Sequence, residues 1–260
     1  MKKLTTALLA AAALTTAVSA EGGSNTGFYL GASAGVANTN VKYNFITETN
    51  LASNRPVQNF NNTTGKMAGL FGVFAGYGMV LGQGAYVGGE VYGGFDTTKV
   101  TPYDDSATTA PVAAAGGGYH KTTVKRSSFY GLAARVGYMI TPSTLAYIRL
   151  GVEAGKWTMQ VVPNQNGTAA NISDATQLST VQATQTKSKN SINFAPGLGF
   201  ETYINKNLFV RAEYSYLFGP SITINEPTKG LSNSYLNGEN LKNTAKISQH
   251  AFKIGVGYKF

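Results

Sequence analysis

The chain contains no cysteine. That excludes a disulfide framework, and with only two histidines, His120 and His250, no Cys/His spacing fits a zinc site. Charged residues are scarce, at 13%. The formal net charge is +9, falling to +7 when Lys2 and Lys3 are set aside with the leader described below. The basic residues are scattered, with no run denser than Lys121 to Arg126. Nucleic acid calls for a concentrated stripe, so no nucleic-acid partner is expected. A basic exterior suits anionic lipid headgroups or a host-surface polyanion better. Beyond residue 20 no stretch is long and apolar enough for a membrane-spanning helix. This excludes helical spans only, because membrane strands give a far weaker signal per segment.

What is present begins with a leader. Met1-Lys2-Lys3 is basic, Leu4 to Val18 is apolar or small, and Val18-Ser19-Ala20 is a small-residue cleavage site. Residues 1–20 therefore read as a cleaved signal peptide, and 21–260 as the mature domain. At the other end, Phe252, Ile254, Val256, Tyr258 and Phe260 alternate with Lys253, Gly255, Gly257 and Lys259. A period of two is a strand with one apolar and one polar or small face. An apolar-faced terminal strand ending in phenylalanine is suited to closing a barrel in lipid.

Seven earlier segments repeat the alternation: about 27–37, 66–79, 84–95, 128–140, 145–157, 191–203 and 208–218. The outward rows expected are, for example, Phe71, Val73, Ala75, Tyr77 and Met79 in the second, which turns Leu70 and Phe74 inward. Connections alternate between short (80–83, 141–144, 204–207) and long (about 38–65, 96–127, 158–190, 219–248). The fold expected is all-β: an eight-stranded antiparallel up-and-down transmembrane barrel with short periplasmic turns and four long extracellular loops. The long connections are rich in Asn, Thr, Ser, Gln and Gly, as solvated loops should be. Pro196 removes a ladder donor, which predicts a bulge or local break.

The same alternation turns Glu90, Arg135, Arg149, Glu153, Glu201, Arg211, Glu213 and Lys253 into the lumen. Four acids and four bases permit complete pairing, as buried charges require. An ion path is one reading of this cluster; an eight-stranded interior, only just wide enough for its side chains, favours a structural plug.

Gly27-Phe28-Tyr29-Leu30-Gly31, Phe74-Ala75-Gly76-Tyr77-Gly78, Gly88-Gly89-Glu90, Arg135-Val136-Gly137-Tyr138, Phe209-Val210-Arg211-Ala212-Glu213-Tyr214 and Gly255-Val256-Gly257-Tyr258-Lys259-Phe260 occur in that order. In these motifs the chain resembles the OmpA-type, opacity-like outer-membrane β-barrel family, without a peptidoglycan-binding domain. The resemblance implies residence in the outer membrane of a Gram-negative bacterium. It also implies assembly by the barrel machinery, with Tyr258 and Phe260 as the signal read, and a paired charge cluster in the lumen. The function expected is that of a non-catalytic surface protein working through its loops, in antigenicity, adhesion or envelope integrity, with no cofactor, metal or catalytic residue. A narrow porin is the alternative. A lipid-modifying enzyme would need a base. Ser248 and His250 share a face near the outer rim, but without a third orienting group a rim histidine at headgroup level is the simpler reading. Asp104 and Asp105 precede His120 in a polar loop. Trp157 is either a lumen plug or an interface anchor.

Overall fold

The computed structural model describes residues 26–48, 59–104, 120–163, 184–227 and 240–260. Ten strands are described: β1 (Gly27–Glu48), β2 (Asn59–Val80), β3 (Ala85–Asp96), β4 (Lys99–Asp104), β5 (His120–Thr141), β6 (Thr144–Pro163), β7 (Gln185–Tyr203), β8 (Leu208–Leu217), β9 (Ser221–Pro227) and β10 (Asn240–Lys259). Neighbours pair antiparallel around a ring, and β1 against β10 closes it, from Tyr29↔Lys259 to Glu48↔Asn240. β3 with β4, and β8 with β9, act as single wall positions, so the ring has eight walls. Residues 1–20, expected to be a leader, and the tips of all four long connections lie outside the described residues.

The expected outward rows are those exposed. Phe28, Leu30 and Val36 on β1, Tyr130, Leu132 and Val136 on β5, and Ile254, Val256 and Tyr258 on β10 all face out, while Leu70 and Phe74 are buried. The inner face mixes small and large residues. Gly131 and Gly199 seat the phenol rings of Tyr92 and Tyr147, which a Cβ at either position would strike. The short turns are tight. In one, Gly84 takes φ 89°; in another, Asn205 Oδ1 accepts from the backbone N–H of Asn207 at 2.9 Å and Leu208 at 2.8 Å.

The long connections are a correction. Much of 38–65, 96–127, 158–190 and 219–248, expected as loop, is strand: β1, β2, β5, β6, β7 and β10 run 19 to 22 residues. A strand of ~9–11 residues suffices to cross a bilayer, so these strands continue far beyond it. Their polarity inverts as they leave the lipid. On β1, Val36 faces out below, whereas higher up Val41, Tyr43 and Phe45 face in and Lys42 is exposed. The register never slips between β1 and β10; only the solvent outside changes, from hydrocarbon to water.

The outer part is no longer one cylinder. β2 pairs β3 only from Leu70↔Asp96 to Val80↔Tyr86, and β7 pairs β8 only from Gly197↔Ser215 to Tyr203↔Phe209. Above these points no ladder joins β2 to β4, or β7 to β9, among the described residues. Two four-stranded sheets result, β4-β5-β6-β7 and β9-β10-β1-β2, which face each other as a β-sandwich. Their shared core contains Val41, Tyr43, Val100, Val124, Trp157, Met159, Ile222 and Ile247. Trp157, fully buried, is thus the plug of its two readings and not an interface anchor.

Local chemistry explains both divisions. The β6 side of β7 runs through Pro196 without a bulge, opposite Leu150; the break lies on the β8 side. Phe194 O turns to that side and accepts from Phe218 N at 3.0 Å. Pro196, two residues on, presents its missing donor to the same side, where the ladder stops. At the other seam Thr97 replaces ladder bonds with its own: its Oγ1 accepts from Gly69 N at 2.9 Å. Side chains then span the seams. Asn62 Nδ2 donates to Pro102 O at 2.7 Å, and Lys187 and Lys189 Nζ donate to Thr223 O at 2.6 Å and Ser221 O at 3.0 Å. Edge lysines of this kind blunt strand edges against foreign pairing.

Because Trp157 fills the middle of the sandwich core, Trp157→Ala is expected to destabilise the folded protein by about 3–5 kcal/mol. Urea unfolding followed by circular dichroism checks this; a loss near zero would mean that the sheets are not held by that core.

Candidate functional site

The strongest candidate is the lumen. All eight charges expected there are enclosed by the barrel wall, Glu153 and Arg211 among them, with Lys253 the least buried. Seven of them, all but Glu153, form the lower network. Glu201, on β7, accepts from Arg135 Nη2 at 2.7 Å, from Arg211 Nη2 at 3.1 Å and from the Tyr203 hydroxyl at 3.1 Å. Arg211 also donates to Glu90 at 2.7 Å, and Tyr29 adds its hydroxyl to Glu90 at 3.1 Å. Arg135 lies 3.9 Å from Glu90, so two guanidiniums and two carboxylates alternate in a closed square. Beside it, Glu213 takes Lys253 at 2.7 Å, Arg149 at 3.7 Å and the Tyr147 hydroxyl at 3.1 Å.

Aromatic faces add to the solvation. The Arg135 guanidinium lies 3.8 Å from the Tyr147 ring centroid, Arg149 4.1 Å from Tyr92, and Arg211 4.1 Å from Phe74. A desolvated cation over a ring gains up to ~2 kcal/mol. Between Glu90, Arg211, Glu213 and Lys253 lies a cavity of about 20 Å³, the room of a single water.

Sequence reasoning placed Glu153 with these four bases, but its partner is Arg126, in an upper tier that the alternation missed. Arg126 donates to Glu153, lies 3.5 Å from Asp96 and donates to Gln249 Oε1 at 2.8 Å. Gln249 Nε2 in turn donates to Asp96 at 2.8 Å and Thr39 at 2.7 Å. The Arg126 guanidinium sits 5.0 Å from the ring centroids of both Phe129 and Trp157. Asp96 could have been found by continuing the parity of Glu90 along β3. Arg126 could not, because an extra residue at Ser127-Ser128 shifts the register: Arg126↔Trp157 is followed by Phe129↔Gly155. That bulge reverses which parity faces inward.

Every carboxylate of the two tiers is held by a guanidinium or ammonium, so the cluster offers no free base for catalysis. Among the described residues no group of three or more His, Cys, Asp or Glu could hold a metal. His250 is half-buried on the outer face, its Nδ1 2.7 Å from the Tyr214 hydroxyl and its ring against Tyr216. Asp104 pairs with Lys121; Asp105 and the His120 side chain lie outside the described residues. At the terminus Tyr258 faces out, opposite Leu30 and Leu208, 5.2 Å from the Phe260 ring. Phe260 N donates to Phe28 O at 2.9 Å, locking the end of the chain to β1.

An outward apolar belt, an enclosed ionic lumen and a closed ring mark an outer-membrane barrel, and the family comparison agrees. The model of the outer membrane protein beta-barrel domain matches residues 6–260. The chain belongs to that family. No curated protein matches it in sequence. Among solved structures it is similar to the outer membrane protein OprG from Pseudomonas aeruginosa, at 15% identity and TM-score 0.51, covering 92% of this chain and 98% of that one. It is also similar to Ail, the attachment invasion locus protein of Yersinia pestis (14% identity, TM-score 0.37, covering 89% and 98%). A third is the outer membrane protease OmpT from Escherichia coli (8%, 0.38, covering 95% and 100%). These likenesses concern the fold alone.

Proposed function

We propose that this OmpA-like barrel is a surface-display protein: a closed membrane anchor that raises a rigid β-sandwich, and the four connections at its tip, above the outer membrane. Its work is binding through that exposed part, as an adhesin, a surface antigen or an envelope-stabilising contact, and it is non-catalytic. The observation carrying this reading is that the lumen is filled twice, by the ionic tiers and by the apolar core above them. An ion crossing would have to displace paired charges and then enter a mainly apolar core, whose buried polar groups Tyr43, Asn243 and Thr122 are already bonded to one another, where a bare charge is heavily penalised. The inserted terminal aromatics Tyr258 and Phe260 suit recognition by the assembly machinery. His250, turned into a belt of tyrosines, suits an anchor at headgroup level.

The porin alternative is tested by conductance. Refolded protein in a planar bilayer is expected to be electrically silent; steady porin-like steps would overturn the proposal. Cells displaying the protein with its tip segments replaced by short turns should then lose whatever surface binding the intact protein confers.

A further inference from the structure

The outer wall carries an arrangement that stability alone does not explain. Lys99 on β4 lies directly opposite Lys125 on β5, and both are exposed. Thr158 of β6 faces Lys125, which makes Lys156, two residues before it, a diagonal neighbour on the same exposed face. Like charges facing each other across strands are destabilising. Among the described residues none of these three lysines has an ion-pair partner, and the nearby Asp104 is taken by Lys121. The Ser127-Ser128 bulge adds two exposed hydroxyls beside Lys125.

The height of the patch identifies the anion. Phe95 and Tyr130, each 70% exposed, end the lipid-facing rows of β3 and β5 immediately below it. Lys156 is one outward row above Ala154, and Lys99 two rows above Phe95. The geometry points to a binding site for the phosphorylated headgroup of an outer-leaflet lipid, held by Lys99, Lys125 and Lys156. The ammonium groups meet phosphate where the acyl chains below can lie against the apolar wall. A second opposed pair, Lys42 and Lys246 on β1 and β10, provides an internal contrast. It is three outward rows above Val36, one row further from the apolar belt than Lys99 is from Phe95.

The full protein is refolded into phosphatidylcholine nanodiscs containing a minor share of phosphatidic acid, whose headgroup is a phosphomonoester. Bound lipid is counted by native mass spectrometry. The wild type is expected to retain phosphatidic acid in preference to phosphatidylcholine. The triple substitution K99Q/K125Q/K156Q is expected to weaken that preference roughly a hundredfold, from the usual contribution of each basic side chain near an anionic surface. K99R/K125R/K156R should keep it, and K42Q/K246Q should leave it unchanged. Equal retention by the wild type and the Gln triple variant would overturn the proposal. So would an equal loss in the triple and the K42Q/K246Q variants, which would show a response to net charge alone, or an absence of any preference in the wild type. A folded sample is confirmed for each variant by its boiling-dependent gel mobility. A soluble sulfated polysaccharide that binds wild type and Gln triple variant alike, while the phosphatidic acid preference is lost, keeps the lipid assignment; one that competes the lipid away only through Lys42 and Lys246 overturns it.

Discussion

Glu201→Leu is expected to destabilise the folded barrel by about 3–5 kcal/mol. Glu201 is the corner shared by Arg135 and Arg211. Removing it leaves two buried guanidiniums to share one carboxylate, Glu90, which is 2.7 Å from Arg211 but 3.9 Å from Arg135. The cost is that of uncompensated charge, not of a lost contact. Glu201→Gln, which keeps an acceptor oxygen but no charge, should fall between Leu and wild type. Urea titration of protein refolded in detergent, read by far-ultraviolet circular dichroism and by boiling-dependent mobility, measures both. A Glu201→Leu variant as stable as wild type would mean that the square contributes only shape.

The second large effect comes from the lipid face. On β6, Leu150 and Thr158 share one outward face. Leu150→Arg is expected to cost about 2–4 kcal/mol, the penalty for arginine at the bilayer midplane. Thr158→Arg, four outward positions further along, should stay within about 0.5 kcal/mol, as a solvated surface change does. Folding into vesicles at increasing urea compares them. A penalty at both positions would extend the hydrocarbon belt over the patch that holds Lys125 and Lys156. A penalty at neither would remove the wall from lipid altogether.

The legible part of this architecture was whatever the outward row could show. Phe71, Val73, Ala75, Tyr77 and Met79 announced β2, and the same parity enclosed Glu90, Arg135, Glu201 and Arg211. Polarity stopped being a guide at the membrane boundary. Val41, Tyr43 and Phe45 continue the alternation of β1 with the apolar side turned in, so a search for an outward apolar row ends near residue 37 and reads the rest as loop. Asn, Thr and Lys on the outer side reinforced that reading. Lys253 and Glu213 could be paired from parity, but Glu153 could not be given its partner, because Arg126 faces the lumen only through the bulge at Ser127-Ser128.

The amino-acid order by itself determined the barrel wall, its eight-fold count and the ionic content of its lower lumen. Each of these follows from a period of two imposed by lipid on one side and crowding on the other. The tertiary structure decided where the cylinder splits into two facing sheets, which arginine meets Glu153, and which lysines stand opposite one another. Those outcomes depend on ladder bonds that fail at Pro196 and on one extra residue in β5. They are matters of register between distant strands, which no local pattern of residue types encodes.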